Sequence, residues 1–150
     1  MVKMAGSVFI DTNVLVYANN LLSPFCHASR RKLNELALSD NNLWLSRQVL
    51  REFAVVVSRE MLVSKQLDFE KLEHVIRQFE SEFLIAEDSQ TVTGHWLELL
   101  KETQSAGKQV HDTNIVATMR ANNIDTLLTH NVSDFNRFSH LITVLPLAGK

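Results

Sequence analysis

The apolar positions of the chain alternate between short unbroken runs and longer stretches of helical spacing. Ser7-Val8-Phe9-Ile10 is the first run, and it predicts a strand buried on both faces, as in a parallel sheet. Asp11-Thr12-Asn13 follows at once and leads into Val14-Leu15-Val16-Tyr17-Ala18. Polar capping residues between a strand and an apolar stretch predict a tight strand-to-helix turn. Ser23-Pro24 has the form of a helix start, with serine as N-cap and proline at the first helical position, for a helix reaching about Leu38. Leu43-Trp44-Leu45 predicts a second strand, and Ser46 caps a helix that carries Val49, Leu50, Phe53, Val57 and Met61 on one face. Asp68 opens a helix to about Phe79, and Phe83-Leu84-Ile85 predicts a third strand. Asp88-Ser89 starts a helix with Val92, Trp96, Leu99 and Leu100 as its apolar residues, and Ser105-Ala106-Gly107-Lys108 ends it. Residues 111–122 read as a further helix, 126–129 and 142–145 as strands four and five, and 131–138 as a loop or short helix.

Strands alternating with helices predict an α/β protein, here a three-layer α/β/α sandwich around a mainly parallel five-stranded sheet, as one domain over residues 1–150. Apolar residues make up 45% of the chain and charged residues 21%, which fits a folded domain and excludes a disordered tail. The single cysteine, Cys26, excludes an intramolecular disulfide and suits a reducing compartment. No apolar run approaches the roughly 18 residues of a membrane span. The opening Met1-Val2-Lys3-Met4-Ala5-Gly6 lacks the apolar core of a secretory signal, so a cytoplasmic location is expected. The net charge of −2 gives no overall attraction to nucleic acid. A polyanionic substrate would need local basic residues and bound cations.

Four acids gain meaning from this layout. In open parallel sheets, ligands bind beyond the carboxyl ends of the strands. Asp11 directly follows strand one, and Asn131 and Asp134 follow strand four. Asp112 lies in the first turn of the helix that leads back into strand four, on a stripe with Ile115, Val116 and Met119, so it should face the sheet. Glu52 lies in the second turn of the helix after strand two. Left alone at one edge, such acids repel and some would protonate. A hard divalent cation resolves the conflict, and oxygen-only ligation points to Mg²⁺ or Mn²⁺ over Zn²⁺. That chemistry suits phosphodiester hydrolysis. Each acid also has a plainer reading. Asp11 is a possible N-cap, Asp112 a first-turn acid, Glu52 a helix acid paired with Arg51, Arg59 or Gln48, and Asp134 a turn residue. His111 reads as a helix-start residue.

Together, Ile10-Asp11-Thr12-Asn13-Val14-Leu15, Ser46 with Glu52, His111-Asp112 and Leu128-Thr129-His130-Asn131-Val132-Ser133-Asp134-Phe135 resemble the PIN-domain nucleases. Within them the chain most resembles the VapC-type toxin ribonucleases of prokaryotic toxin–antitoxin pairs. The resemblance implies that Asp11, Glu52 and Asp112 bind metal and that Asp134 is the fourth, more variable acid. It implies that Thr12 and Asn13 are the polar residues beside the first acid, and that Thr129 and Asn131 orient the acids or water. It further implies Mg²⁺ or Mn²⁺, RNA cleavage by an activated water, a homodimer, and inhibition by a small antitoxin lying across the groove. Where many relatives continue with alanine after the third acid, this chain has Thr113-Asn114. Arg47 and Arg51 near Glu52, and Arg30, Arg31 and Lys32 in the second helix, are the basic residues available to RNA phosphates.

Two other classes compete. A phosphatase or phosphotransferase would use Asp11 as nucleophile, yet position 13 is Asn where a dehalogenase-like pattern wants a second Asp. A catalytically silent PIN-like RNA-binding module would have lost one or more acids, and all four are present.

Overall fold

The structure is a computed structural model that describes residues 6–148. The first five residues, read above for a secretory signal, and the last two lie outside the described residues. The strands are β1 (Ser7–Ile10), β2 (Asn42–Ser46), β3 (Leu84–Ala86), β4 (Thr126–Leu128) and β5 (Thr143–Leu145). They form one sheet of order β3-β2-β1-β4-β5 with every neighbouring pair parallel. The unbroken apolar run of β1 takes the central place, where both of its faces are covered.

Parallel neighbours require crossovers, and these are filled by α1 (Thr12–Ala18), α2 (Cys26–Leu38), α3 (Arg47–Ser64), α4 (Phe69–Glu82), α5 (Gln90–Thr103), α6 (Gln109–Ala121) and a 3₁₀ helix (Val132–Phe138). Steps from β1 to β2 to β3 run one way across the sheet, so right-handed crossovers put α1 to α4 on one face. The step from β3 back past β1 to β4 puts α5 and α6 on the other. Packing follows suit: α1 meets α2 and α3, α3 meets α4, α5 meets α6, and α6 meets the 3₁₀ helix. The result is the three-layer α/β/α architecture expected from the alternation. Phe9, Ile10, Leu45, Leu127 and Leu128 of the sheet share one buried cluster with Leu15, Val49 and Phe53 of α1 and α3. Leu99, Ile115 and Met119 of α5 and α6 join the same cluster. Each such side chain contributes about 1.5–3 kcal/mol of burial. Among the described residues no helix is long and apolar enough to cross a membrane.

Three predicted caps form. Ser46 Oγ accepts the Val49 N–H at 3.3 Å, Asp68 Oδ1 accepts that of Lys71 at 3.0 Å, and Ser89 Oγ accepts that of Val92 at 3.2 Å. Several boundaries differ from the sequence reading, three of them at the ends of helices. Ser23 does not cap α2 directly: its hydroxyl accepts the Phe25 N–H and its carbonyl the Cys26 N–H, so Ser23-Pro24 makes a turn and the helix begins at Cys26. Phe83 closes α4 through its N–H to Phe79, which moves β3 one residue along. Helix α6 begins at Gln109, two residues early, leaving Asp112 in its first turn.

The chain leaves β1 towards β2 on one side and returns at β4 on the other, so the connections reverse direction between β1 and β4. A crevice opens beyond the carboxyl ends of the strands at such a point. Asp11 and Thr129 are the residues that emerge there.

Candidate active site

Asp11 sits where β1 turns into α1, and its own N–H still extends the sheet by donating to the Leu128 carbonyl at 3.0 Å. Its carboxylate is buried and surrounded by donors. Oδ1 accepts the Thr12 N–H at 2.8 Å, while Oδ2 accepts the Thr129 hydroxyl at 2.8 Å and the Asn13 amide at 3.2 Å. Asp11 therefore does cap α1, and it is also the innermost acid of the crevice. Burial pushes its carboxyl up to about 6; the Thr129 and Thr12 hydrogen bonds oppose this, and the nearby Glu52 charge adds to it.

Glu52 faces the same space from α3. Its Oε2 accepts the Thr12 hydroxyl at 2.8 Å and its Oε1 accepts the Gln48 amide at 2.7 Å. Of the partners weighed for Glu52 from the sequence, Gln48 is the one it has. Asp112, half-buried, is pushed up to about 6 by burial and then by the charges of Asp11, Asp134 and Glu52, with Arg137 opposing. Asp134 is exposed at the start of the 3₁₀ helix, its N–H bonded to the Asn131 carbonyl. Asn131 in turn donates its N–H to Thr129 Oγ1 at 3.0 Å, and Asn13 Oδ1 accepts the His130 N–H at 3.0 Å.

Asp11, Glu52, Asp112, Asp134, Thr12, Asn13 and Asn131 all line one cleft of about 460 Å³, whose apolar wall includes Val16, Tyr17, Val55 and Val56. Thr129 stands behind it, fully buried. A larger cavity of about 690 Å³ lies between α1, α3 and α4 and holds none of these four acids. The smaller cleft is the one with convergent, mutually perturbed carboxylates, the mark of a chemical site.

The predicted basic residues do not line that cleft. Arg47 is bound by Glu87 through Nε and Nη2 and by Glu80 through Nη1, at 2.7 to 3.1 Å. Arg51 is exposed, reaches Asp88 at 3.3 Å, and lines a neighbouring cavity with His111 and Asn114. In α2, Arg30 donates to the Ala18 carbonyl, Arg31 meets His27, and Lys32 pairs with Glu35. Beside the acids, sequence reasoning passed over Arg137 and gave Gln48 no role in the site. Arg137, a single turn-region cation, carried no signal. Gln48 carried a weak one in its i,i+4 spacing to Glu52.

The four acids offer only oxygen donors, and two of them hold protons more tightly than usual, chiefly because they are buried and further because neighbouring carboxylates add negative charge. That donor set fits a hard divalent cation. Among the described residues, no three Asp, Glu, His or Cys side chains converge into a ready-made metal cage. Mg²⁺ rarely uses one: it keeps several waters and takes one or two carboxylates plus substrate phosphate.

Residues 8–141 match the family model described as PIN domain. No curated protein matches the chain. Among solved structures it is similar to VapBC2 of Rickettsia felis, bound to a DNA fragment from its promoter, at 25% identity over 93% of this chain and 98% of that one, with a TM-score of 0.65. It is similar in fold to VapBC-1 of nontypeable Haemophilus influenzae, at 17% identity over 94% of this chain and 98% of that one, TM-score 0.66. A third similar fold is VapC20 of Mycobacterium tuberculosis, a toxin that cleaves the sarcin–ricin loop, at 15% identity over 80% of this chain and 86% of that one, TM-score 0.61. With the family model matched over most of its length, the chain belongs to the PIN domain family.

Proposed function

We propose that the protein is an Mg²⁺- or Mn²⁺-dependent endoribonuclease and the toxin of a toxin–antitoxin pair. The observation that carries this reading is the cleft shared by Asp11, Glu52, Asp112 and Asp134, in which burial and then neighbouring negative charge raise two of the carboxyls to about 6. In this reading the cation's carboxylate ligands come from among Asp11, Glu52 and Asp112, with Asp134 at the exposed rim, and water and substrate phosphate fill the remaining positions. When bound, the cation neutralises the phosphate and makes a bound water acidic enough to attack at neutral pH.

The chain's own residues do the rest. Thr129, Asn13 and the Thr12 N–H hold the Asp11 carboxylate in one orientation. Thr12 holds Glu52 from the other side of the same turn. Asn131 stands at the cleft mouth, where it orients water or phosphate. Val16, Val55 and Val56 give the cleft a low-dielectric wall, which strengthens every charge interaction inside it. Arg51, exposed beside this region, is the better of the two predicted arginines for a phosphate contact.

RNA as substrate rests on the likeness to VapC20, and a small antitoxin partner on the likeness to VapBC complexes. A homodimer, a single domain and a cytoplasmic location complete the proposal. The test is direct. Purified protein should cut a structured RNA with Mg²⁺ or Mn²⁺ present and stop when EDTA is added. Asp11→Asn should fold and be inert. Cleavage by that variant at the wild-type rate would overturn the reading.

A further inference from the structure

Gln48 is a buried polar residue that the proposed chemistry leaves unused. It lies one helical turn before Glu52 on α3 and is wedged against α6. Its amide nitrogen donates to Glu52 Oε1 at 2.7 Å and to the His111 carbonyl at 3.0 Å. Its carbonyl oxygen accepts the Asn114 amide at 2.8 Å, from a residue 66 positions away. A carboxylate and a backbone carbonyl only accept, so the Gln48 NH₂ must face them. Its oxygen must then face residue 114, which has to donate. Alanine there would leave a buried oxygen without a partner.

This network separates the two residues that depart from the family pattern after Asp112. Thr113 is buried and returns its hydroxyl to the Gln109 carbonyl at 2.7 Å, a bond within its own helix. Asn114 instead reaches across to α3. The chain Asn114–Gln48–Glu52 links the helix of the third acid to the second acid, and the Gln48–His111 bond ties it to the turn that carries Asp112.

We infer that Gln48, oriented by Asn114, is a positioning residue that fixes the Glu52 carboxylate for cation binding. The inference rests on the cation-dependent reading of this cleft. Thr12 takes Oε2 and Gln48 takes Oε1, so one donor on each oxygen sets the plane of the carboxylate and leaves lone pairs directed into the cleft. Groups that orient a metal's ligands through such bonds alter affinity or activity by roughly 10–100-fold when removed.

The experiment measures Mn²⁺ binding to RNA-free protein by the electron paramagnetic resonance signal of free Mn²⁺, beside RNA cleavage and thermal unfolding. Gln48→Met keeps the side-chain length and loses every hydrogen bond; Asn114→Leu removes only the donor that orients Gln48. Gln48→Met should bind Mn²⁺ about tenfold more weakly. Its kcat should recover at high Mn²⁺, and its KM for RNA should stay at the wild-type value. Asn114→Leu should weaken Mn²⁺ in the same sense by a smaller factor. The double variant should be no worse than Gln48→Met alone, because Asn114 acts through Gln48. A merely structural role would instead lower the unfolding temperature without moving Mn²⁺ affinity, or give additive losses. Either result overturns the inference. If Gln48→Met fails to fold, wild-type Mn²⁺ affinity in a folded Asn114→Leu overturns it as well. Wild-type protein that binds no Mn²⁺ would remove the cation reading itself, an outcome distinct from unchanged affinity in the variants.

Discussion

Thr129 donates its hydroxyl to Asp11 Oδ2 at 2.8 Å, joining residues 118 positions apart across the β1–β4 junction. Thr129 Oγ1 itself accepts the Asn131 N–H and the Asn13 amide. One buried side chain thus holds the innermost acid and fixes the start of the segment that carries Asp134. Sheet topology makes this possible: β1 and β4 pair in register through Ile10 and Leu128, so the next residue of each strand emerges at the same level.

Thr129→Val keeps the shape and burial of the side chain and deletes the hydroxyl. Three groups lose a partner, and stability should fall by about 1–3 kcal/mol in urea unfolding. The Thr129 bond is the strongest influence holding the Asp11 carboxyl down against burial. Without it the carboxyl protonates at higher pH, so the acid limb of the RNA-cleavage profile should move up. Thr129→Ser restores the hydroxyl and should restore both properties. A wild-type pH profile in Thr129→Val would refute the coupling.

The two arginines near Glu52 should separate in their effects. Arg47 is held far above its usual pKa by Glu87 and Glu80, whose own carboxyls are pulled down by it. Arg47→Ala should lower the unfolding temperature, less so in high salt, and leave the KM for RNA unchanged. Arg51→Ala should raise KM and flatten the dependence of log KM on log salt by about 0.7–0.9, the share of one phosphate contact. Equal KM changes in the two variants would contradict this division.

What could be read from the chain was local. Ser46, Asp68 and Ser89 announce their helices because each cap bonds an N–H three residues on. The run Val8-Phe9-Ile10 announces a two-sided strand because burial on both faces needs no polar alternation. The gathering of Asp11, Glu52, Asp112 and Asp134 could be argued because strand ends define an edge. Side-chain partners across that edge could not. Asn114 with Gln48 and Arg47 with Glu80 and Glu87 span 66, 33 and 40 positions. Such pairings depend on how the start of α3 meets the start of α6 at the sheet edge and how α3 packs against α4, which no spacing encodes. Ser23-Pro24 shows the remaining failure: the same residues suit a turn and a helix start, and here they form a turn ahead of a helix that begins at Cys26.

With few glycines, the chain ends helices on other residues. Lys65 after α3 and Gln104 after α5 adopt left-handed backbone, with φ of 58° and 54°. A residue with a Cβ pays roughly 1–2 kcal/mol for that conformation. Glycine relieves it but gains freedom in the unfolded chain, which offsets about 0.4–1 kcal/mol. Both side chains are exposed. Lys65→Gly should therefore stabilise by roughly 0.5–1 kcal/mol, and Gln104→Gly by less, because it also gives up the Gln104 amide bond to the Lys101 carbonyl at 3.2 Å. Chemical denaturation checks this, and destabilisation by either change would show that the side chain makes a compensating contact.

The raised carboxyls give the cation-free protein a distinctive pH dependence. Asp11 titrates at about 6 in the fold, against 3.8 as its ordinary value. The native state therefore keeps a proton that the unfolded chain has lost between about pH 4 and 6. Stability from this group is full below pH 4, falls as pH rises through 6, and stays low above it. At about 1.4 kcal/mol per pH unit the loss is on the order of 2–3 kcal/mol for buried Asp11. Half-buried Asp112, also raised to about 6, acts in the same direction. In EDTA, the stability of Asp11→Asn relative to wild type should thus rise between pH 4.5 and pH 7.5, on top of a constant cost for the acceptor it loses. Added Mg²⁺ should shift the difference back towards wild type at pH 7.5, because it stabilises only the chain that keeps the carboxylate. Its effect on wild type should fade towards pH 5 as protons compete for the same oxygens. Thermal unfolding at these pH values with and without Mg²⁺ decides the matter. Equal stabilisation of wild type and Asp11→Asn by Mg²⁺ would show that the ion binds elsewhere.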